Sequence, residues 1–466
     1  MDRYPAQWSS GLNELRPNIV VMHCHDLGRF LGSYGYPTVR TPHLDAFAAD
    51  GVRFSQAFAA APQCSPSRAA LFTGRWPHAN GVLGLTHGSF AWNLQADEEH
   101  LGSRLQGRGY STAMVGVHHE SLAQPDSALA TRLGFDHVDT SEVLAAPVAD
   151  RAVGQLDLLA SGARPFYLQV GFLEPHRIPG SRDPDGTMGF IGNHLEPDDA
   201  NGVTIPAYLR DTPSSRAELA ELQGAVRHMD IAAGRVLEHL ERLGVADNTL
   251  VMFTTDHGLA LPRAKCSLYD PGLEVALIVR YPQRGWSGGR IQDALVSNVD
   301  IVPTLLDLLD SRDTTLHGRS LLGLLDGAAD PGRQEIFGEI TYHDYYDPRR
   351  CVRTGAHKLI ANFSSAYGFM DPSGSWNRRC IPKVPTAGAT AYHPPIELYD
   401  LRDDPYELTN VAAQPEHAAI VADLARRLLS WMQETRDPLL NGAVTSPMHT
   451  RTVGILNAQG PSRAFD

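Results

Sequence analysis

No apolar run in this chain of 466 residues approaches the length needed to cross a bilayer, so no membrane partner is expected. Met1 to Arg16 is polar and mixed, lacking the basic start and apolar stretch of a secretory leader. Cysteine is scarce: Cys24, Cys64, Cys266, Cys351 and Cys380 are odd in number, widely spaced and include no C-x-x-C pair. A disulfide framework is therefore not expected, and a cytoplasmic location is. Positive charge is also in deficit. A net charge of −13 argues against nucleic acid or an anionic membrane as the main partner, yet leaves room for a local cationic pocket that takes a small anion.

What remains is a globular composition, 42% hydrophobic and 20% charged. The length exceeds the usual single-domain range and implies a large domain plus a smaller one, with a homo-oligomer left open. Asn18–Cys24 reads as a buried parallel strand, and Thr112–Val115, Phe166–Phe172, Leu250–Thr254 and Val275–Val279 as further strands. Helical patterns lie between them, over Pro42–Asp50, Pro66–Thr73, Leu101–Arg108 and about Ser215–Leu243. The alternation predicts an α/β fold, a mostly parallel sheet flanked by helices. From about Gln334 the texture changes to short strands (Ile336–Ile340, Arg350–Thr354, Lys358–Ile360, Leu398–Tyr399) and a helix over about Pro415–Thr435. We expect a domain over 1–335, a smaller α+β domain over 336–445, and an irregular tail over 446–466. Residues 362–395 read as a long loop.

The chemistry concentrates around Cys64-Ser65-Pro66-Ser67-Arg68. Ser65 reads as a helix N-cap and Pro66 as the first helical residue, placing Cys64 just outside a helix N-terminus, where an anion is favoured. Arg68, four residues on, can reach back toward the same anion. A sulfur nucleophile with a fixed cation at such a place points to attack on a sulfuryl or phosphoryl group. Polar clusters follow the predicted strands: His25-Asp26, His118-His119-Glu120, Glu174-Pro175-His176 and Asp256-His257. In a parallel sheet, ligands gather at the carboxyl ends of strands, so these clusters converge on one shared site.

The string from Pro62 to Arg75 resembles the signature of the type I sulfatases, in which the Cys of C-x-P-x-R is oxidised to formylglycine by a formylglycine-generating enzyme. The resemblance implies an alkaline-phosphatase-like fold and a hydrated aldehyde. One hydroxyl attacks sulfur and the other collapses to expel sulfate. It also implies a divalent metal, Ca²⁺ in the family, held here by His25, Asp26, Asp256, His257 and the oxygen of modified Cys64. His25 stands where the family has a first Asp. Ca²⁺ is the ion the resemblance implies first, imidazole at 25 and 257 admits Mn²⁺ or Zn²⁺, and His25 either binds such a softer metal or has left the ion's ligands. His119 falls on a family His that orients the hydrate or the sulfate, whereas Val117 stands in place of a Lys. His176 matches a His able to protonate the leaving group. Lys265 matches a cation that contacts sulfate, with Arg263 as the substitute. Arg177, His343, Asp344 and Arg349 are further candidates for substrate contacts.

Thr41-Pro42-His43-Leu44-Asp45 and the stretch from Glu397 to Asn410 extend the resemblance over most of the chain. Cys64–Arg68, Glu174–Arg177 and Trp431–Pro438 look most like the heparan N-sulfatase (sulfamidase) branch, which implies a small anionic sulfated substrate such as an amino sugar. Two other readings stand beside a sulfohydrolase. One is a phosphodiester or phosphonate monoester hydrolase on the same scaffold. The other is a binding protein that has kept the fold without the chemistry.

Overall fold

The computed structural model describes residues 16–177, 189–190, 195–328, 332–366, 379–383 and 392–458. Much of the 362–395 loop lies outside the described residues. Asn18–Cys24 (β1) is followed by Val52–Phe54 (β2), Ala57–Phe58 (β3), Ser111–Gly116 (β4), His137–Asp139 (β5), Phe166–Phe172 (β6), Thr249–Thr255 (β7), Leu277–Arg280 (β8), Arg290–Gln292 (β9) and Val296–Ser297 (β10). Eight of these form one sheet in the order β5-β4-β6-β1-β7-β8-β2-β9, and β3 pairs with β10 apart from it. Only β8 runs antiparallel to its neighbours in that sheet. An apolar run carries no direction, which is why the stretch predicted over Val275–Val279 could not reveal this.

The strands form because both faces of the sheet are covered. In β1, Val20, Met22 and Cys24 point into one core while Ile19 and Val21 point into the other. The first core is capped by the long helices Ala145–Ala160 and Pro213–Arg242, the second by Cys64–Thr73 and Ile301–Leu308. Each fully buried aliphatic side chain contributes roughly 1.5–3 kcal/mol, so the central strands are the least yielding part of the molecule. Their carboxyl ends are accordingly a rigid platform.

Glu335–Tyr342 (β11), Tyr346–Thr354 (β12), His357–Asn362 (β13) and Ile396–Asp400 (β14) form a second, antiparallel sheet in sequential order. The helix Ala418–Glu434 covers one face through Leu424, Leu428, Trp431 and Met432. The other face packs Ile336, Ile340, Cys351 and Ile360 against Phe58, Leu268 and Leu273 of the larger sheet domain. Buried charge also ties the two together. Lys358 reaches across to Asp270 at 2.5 Å and pairs with Glu407 at 2.9 Å; within the smaller domain, Arg350 pairs with Asp437 at 2.5 Å and with Glu339 at 3.3 Å.

Two local expectations are corrected. The helix after Pro62 begins at Cys64 with Gln63 in the N-cap position, so Cys64 opens the first turn rather than preceding it. Ser65 does not cap: its Oγ lies 3.2 Å from Thr86 Oγ1. Residues Pro447–Asn457 are helical where an irregular tail was expected, capped by Ser446, whose side chain accepts from the His449 N–H at 3.2 Å. That helix has no buried residue, so it carries no apolar periodicity to read.

Candidate active site

The four central strands β4, β6, β1 and β7 lie side by side, and the loop after each delivers one polar cluster to the same edge. β1 ends in His25-Asp26, β4 in Gly116 to Glu120, β6 in Glu174 to Arg177, and β7 in Asp256-His257. Sharp turns make this possible. Gly116 has φ 87°, and a Cβ there would stand 2.2 Å from the Gly171 carbonyl oxygen. Asp26 adopts φ 51°, a left-handed conformation uncommon for a residue with a side chain. It turns the carboxylate across the end of the sheet, and its own N–H donates to Asp256 Oδ1 at 2.9 Å.

Cys64 Sγ marks where the aldehyde-derived oxygen stands in a matured sulfatase. It lies 3.4 Å from His257 Nε2 and 3.9 Å from Asp26 Oδ1. Burial pushes the Cys64 thiol up, but Lys265 and hydrogen bonds with His119, His176 and His25 outweigh it and hold the thiol well below its ordinary range. Lys265 Nζ donates to both Asp26 carboxylate oxygens at 2.9 Å and lies 3.5 Å from His176 Nε2. Burial opposes the charge on Asp26, yet Lys265 and His176 beside it keep the carboxyl well below its usual range. Lys265 is one of three lysines, with Lys358 and Lys383, among 40 basic residues. That scarcity singles it out in the sequence, and the residue predicted on motif grounds does reach the centre. Arg263 does not. It stacks over the Tyr269 ring at 3.9 Å and donates to the Glu407 carbonyl.

Asp256 is the second carboxylate. Its Oδ1 accepts from the His257 N–H at 2.8 Å, and its Oδ2 lies 3.2 Å from His25 Nδ1 and 3.2 Å from Arg68. Burial disfavours its charge, but His257, Arg68 and His25 hold its pKa far down. His257 Nδ1 donates to the Gly258 carbonyl at 2.9 Å, which leaves Nε2 facing Asp26 at 3.1 Å. Burial would lower the imidazole, but Asp256, Asp26 and Cys64 push it up to about 10. Arg68 reaches Asp256 and the Cys24 carbonyl rather than the Cys64 sulfur, and it also meets His23 Nδ1. His23 was not anticipated. One residue before Cys24 on a buried strand, it reads as core.

These residues can hold a metal ion. Ligand atoms of Asp26, Cys64, Asp256 and His257 all lie within 4.8 Å of one another, and so do those of His25, Asp26, Cys64 and His176. Asp256 Oδ2 is fully buried and faces only the cationic side, His25 Nδ1 and Arg68 each at 3.2 Å, so it keeps lone pairs for an ion. His25 therefore stays at the centre despite standing where an Asp was expected.

His176 is half-buried, its side chain 20% exposed, with Nδ1 fixed on the Arg177 carbonyl at 2.6 Å and Nε2 facing Lys265 and Asp26. His119 is half-buried, with its ring centroid 5.1 Å from that of His25. Burial drives it down to about 4 although Cys64 pulls upward. His118 lies near Ser121 instead of the centre, and Val117 is buried with its N–H on the Gly171 carbonyl. Two expected substrate contacts are corrected. Arg177 is buried, ion-paired with Glu218 and stacked on Phe190, and Arg349 is ion-paired with Asp347. His343 pairs with Asp344 at 3.2 Å at the turn between β11 and β12. Missed altogether was His87, whose ring lies 5.6 Å from that of His119.

This arrangement belongs to one class of hydrolase. The sulfatase family model matches residues 17–311, and a second model, for the C-terminal part of N-sulphoglucosamine sulphohydrolase, matches residues 261–371. The chain belongs to the sulfatase family and hydrolyses a sulfate ester or sulfamate. It is 32% identical to human N-sulphoglucosamine sulphohydrolase over 92% of each chain. A structure solved in complex with its substrate D-glucosamine-2-N,6-O-disulfate shares the fold at a TM-score of 0.66 and 20% identity, covering 91% of this chain and 98% of that one. The phosphonate monoester hydrolase of Agrobacterium radiobacter shares it at 0.67 and 22%, covering 91% and 97%. Family membership implies a divalent metal and a formylglycine made from cysteine.

Proposed function

We propose that the protein cleaves the N-sulfo group of a glucosamine unit, with Cys64 matured to formylglycine by a formylglycine-generating enzyme. The observation that carries the substrate is the match of residues 261–371 to the C-terminal part of N-sulphoglucosamine sulphohydrolase, a stretch that includes Lys265. The fold itself does not discriminate, since it also serves a phosphonate hydrolase.

The formylglycine supplies the hydroxyl that attacks sulfur and the means to release sulfate afterwards. His25, Asp26, Asp256, His257 and the oxygen at position 64 would hold one divalent ion, which would supply positive charge against the sulfuryl oxygens. Two imidazole nitrogens beside two carboxylates favour Mn²⁺ or Zn²⁺ over Ca²⁺. Lys265, charged and almost fully buried, binds a sulfuryl oxygen and offsets the charge that grows there. Arg68 fixes Asp256, and with it the metal cradle, from the nucleophile's own helix. His176, half-buried, presents Nε2 to the centre and carries the proton for the departing amine, with its ring oriented by the Arg177 carbonyl. His119 orients the oxygen at position 64.

The test is a side-by-side measurement of kcat/KM on N-sulfoglucosamine, glucosamine 6-sulfate and a phenylphosphonate monoester. Highest turnover on the sulfamate supports the proposal. Preference for the 6-sulfate overturns the sulfamate assignment, and preference for the phosphonate favours the phosphorus reading.

A further inference from the structure

Glu120 is a fully buried carboxylate that the mechanism above leaves unused. It follows His119 on the loop after β4, and its Oε2 accepts from the His119 backbone N–H at 2.5 Å. Its Oε1 accepts from Gln169 Nε2 at 2.7 Å, and Gln169 Oε1 in turn accepts from the Tyr167 hydroxyl at 3.0 Å. Both partners sit on the buried strand β6, so the carboxylate is anchored to the stiffest part of the sheet. The other end of His119 is held as well. Its carbonyl accepts from Thr86 Oγ1 at 3.2 Å, and Thr86 Oγ1 lies 3.2 Å from Ser65 Oγ, next to Cys64.

The imidazole itself lacks such a hold. His119 Nδ1 is buried without a hydrogen-bond partner, whereas His176 and His257 each have Nδ1 fixed on a carbonyl. A working histidine is ordinarily oriented through its second nitrogen. Beyond its hydrogen bond with Cys64, the ring takes its orientation from the main chain and ring packing. An unpaired carboxylate in a protein interior is costly, and this one is accommodated by two short hydrogen bonds and by three histidines around it. Burial opposes its charge, while His100, His118 and His23 hold its pKa well below the usual carboxylate range.

We propose that Glu120 is a positioning residue for His119: its carboxylate and the Thr86 hydroxyl clamp the His119 peptide from both sides and aim the imidazole at position 64. The inference rests on the reading that His119 acts there. It also explains why Ser65 does not cap its helix. The Ser65 hydroxyl is committed to Thr86, and so links the nucleophile's helix to the His119 loop.

The donors and acceptors around Glu120 permit a specific test. Glu120→Ala removes the clamp. Glu120→Gln keeps an acceptor for the His119 N–H but turns an amide donor toward Gln169, whose own amide must then flip and leave the Tyr167 hydroxyl without its acceptor. The double variant Glu120→Gln/Gln169→Glu gives the His119 N–H, the amide at position 120 and the Tyr167 hydroxyl an acceptor each, because the carboxylate then at position 169 can accept from the latter two, while His100 Nε2, 3.8 Å from Glu120 Oε1, loses its carboxylate. In matured, metal-loaded enzyme assayed on N-sulfoglucosamine, we expect kcat to fall about 30-fold in the Ala variant and about 10-fold in the Gln variant, with KM within about twofold. The swapped pair should recover to within about threefold of wild type. In a His119→Ala background, Glu120→Ala should cost nothing further, because the two act as one unit. A folded Glu120→Ala enzyme with wild-type kcat overturns the proposal, and so does an equal loss in the His119→Ala background. If the Ala variant does not fold, the isosteric pair decides: a swap no more active than Glu120→Gln overturns it. Full activity in His119→Ala alone would instead refute the role given to His119.

Discussion

Lys265→Met keeps the apolar stem of the side chain and removes its charge. Lys265 Nζ lies 2.9 Å from both oxygens of Asp26, with side-chain exposures of 2% and 0%. At an effective dielectric constant near 20 the pair attracts by about 6 kcal/mol, and much of this is offset by desolvation. Removing one partner leaves Asp26 buried beside two imidazoles, which costs about 3–5 kcal/mol. A bound divalent ion compensates Asp26, so the cost should be less than half as large once metal is present. Urea unfolding followed by tryptophan fluorescence, with and without EDTA, measures both quantities. The same variant should lose about 10²–10³ in kcat on N-sulfoglucosamine, because a charge aimed at the sulfuryl oxygens is gone. A chelated Lys265→Met protein with the wild-type urea midpoint would refute the reasoning about the pair. An unchanged kcat would refute the role given to Lys265.

Three further outcomes follow from the same geometry. Burial pushes Glu174 up to about 7 from 4.5, so between those values the folded state holds a proton that the unfolded chain has lost. Stability therefore falls as pH rises through that window, by at most about 3 kcal/mol. Glu174→Gln should raise the Tm near pH 8 and match wild type near pH 5, and a gap independent of pH contradicts this. Asp437→Ala takes the bidentate partner from the fully buried Arg350 guanidinium, leaving it Glu339 at 3.3 Å, and should cost about 3 kcal/mol in urea unfolding, whereas a loss below about 1 kcal/mol would mean that the pair contributes little. His25→Asp exchanges a nitrogen donor for an oxygen. Metal analysis after loading from equal Ca²⁺, Mn²⁺ and Zn²⁺ should show a shift toward Ca²⁺, and an unchanged ratio would remove His25 from the metal's ligands.

The central strands were legible because burial on both faces writes itself as continuous apolar runs. Asn18–Cys24 and Phe166–Phe172 have the predicted bounds. The site was legible for a related reason: polar residues directly after such runs have few reasons to be there. Arg177 and Arg349 misled because a cation in a motif looks free until its carboxylate, Glu218 or Asp347, is placed beside it. Glu120 was hidden in the opposite sense. An acid after two histidines reads as a solvated loop, and only tertiary packing shows it sealed beneath Gln169. The helix start was displaced because Ser65 has a better partner in Thr86 than in its own backbone, a contact 21 residues away. The exposed Pro447–Asn457 helix left only its Ser446-Pro447 start as a signal.

Activity of the proposed kind turns on the chemical state of residue 64. Mass spectrometry of the peptide spanning Pro62 to Arg75, from active protein made in its native host, tests this most directly. Conversion of Cys64 to formylglycine predicts a peptide about 18 Da lighter than the cysteine form. A fully active protein whose peptide carries only the unmodified thiol would contradict the account.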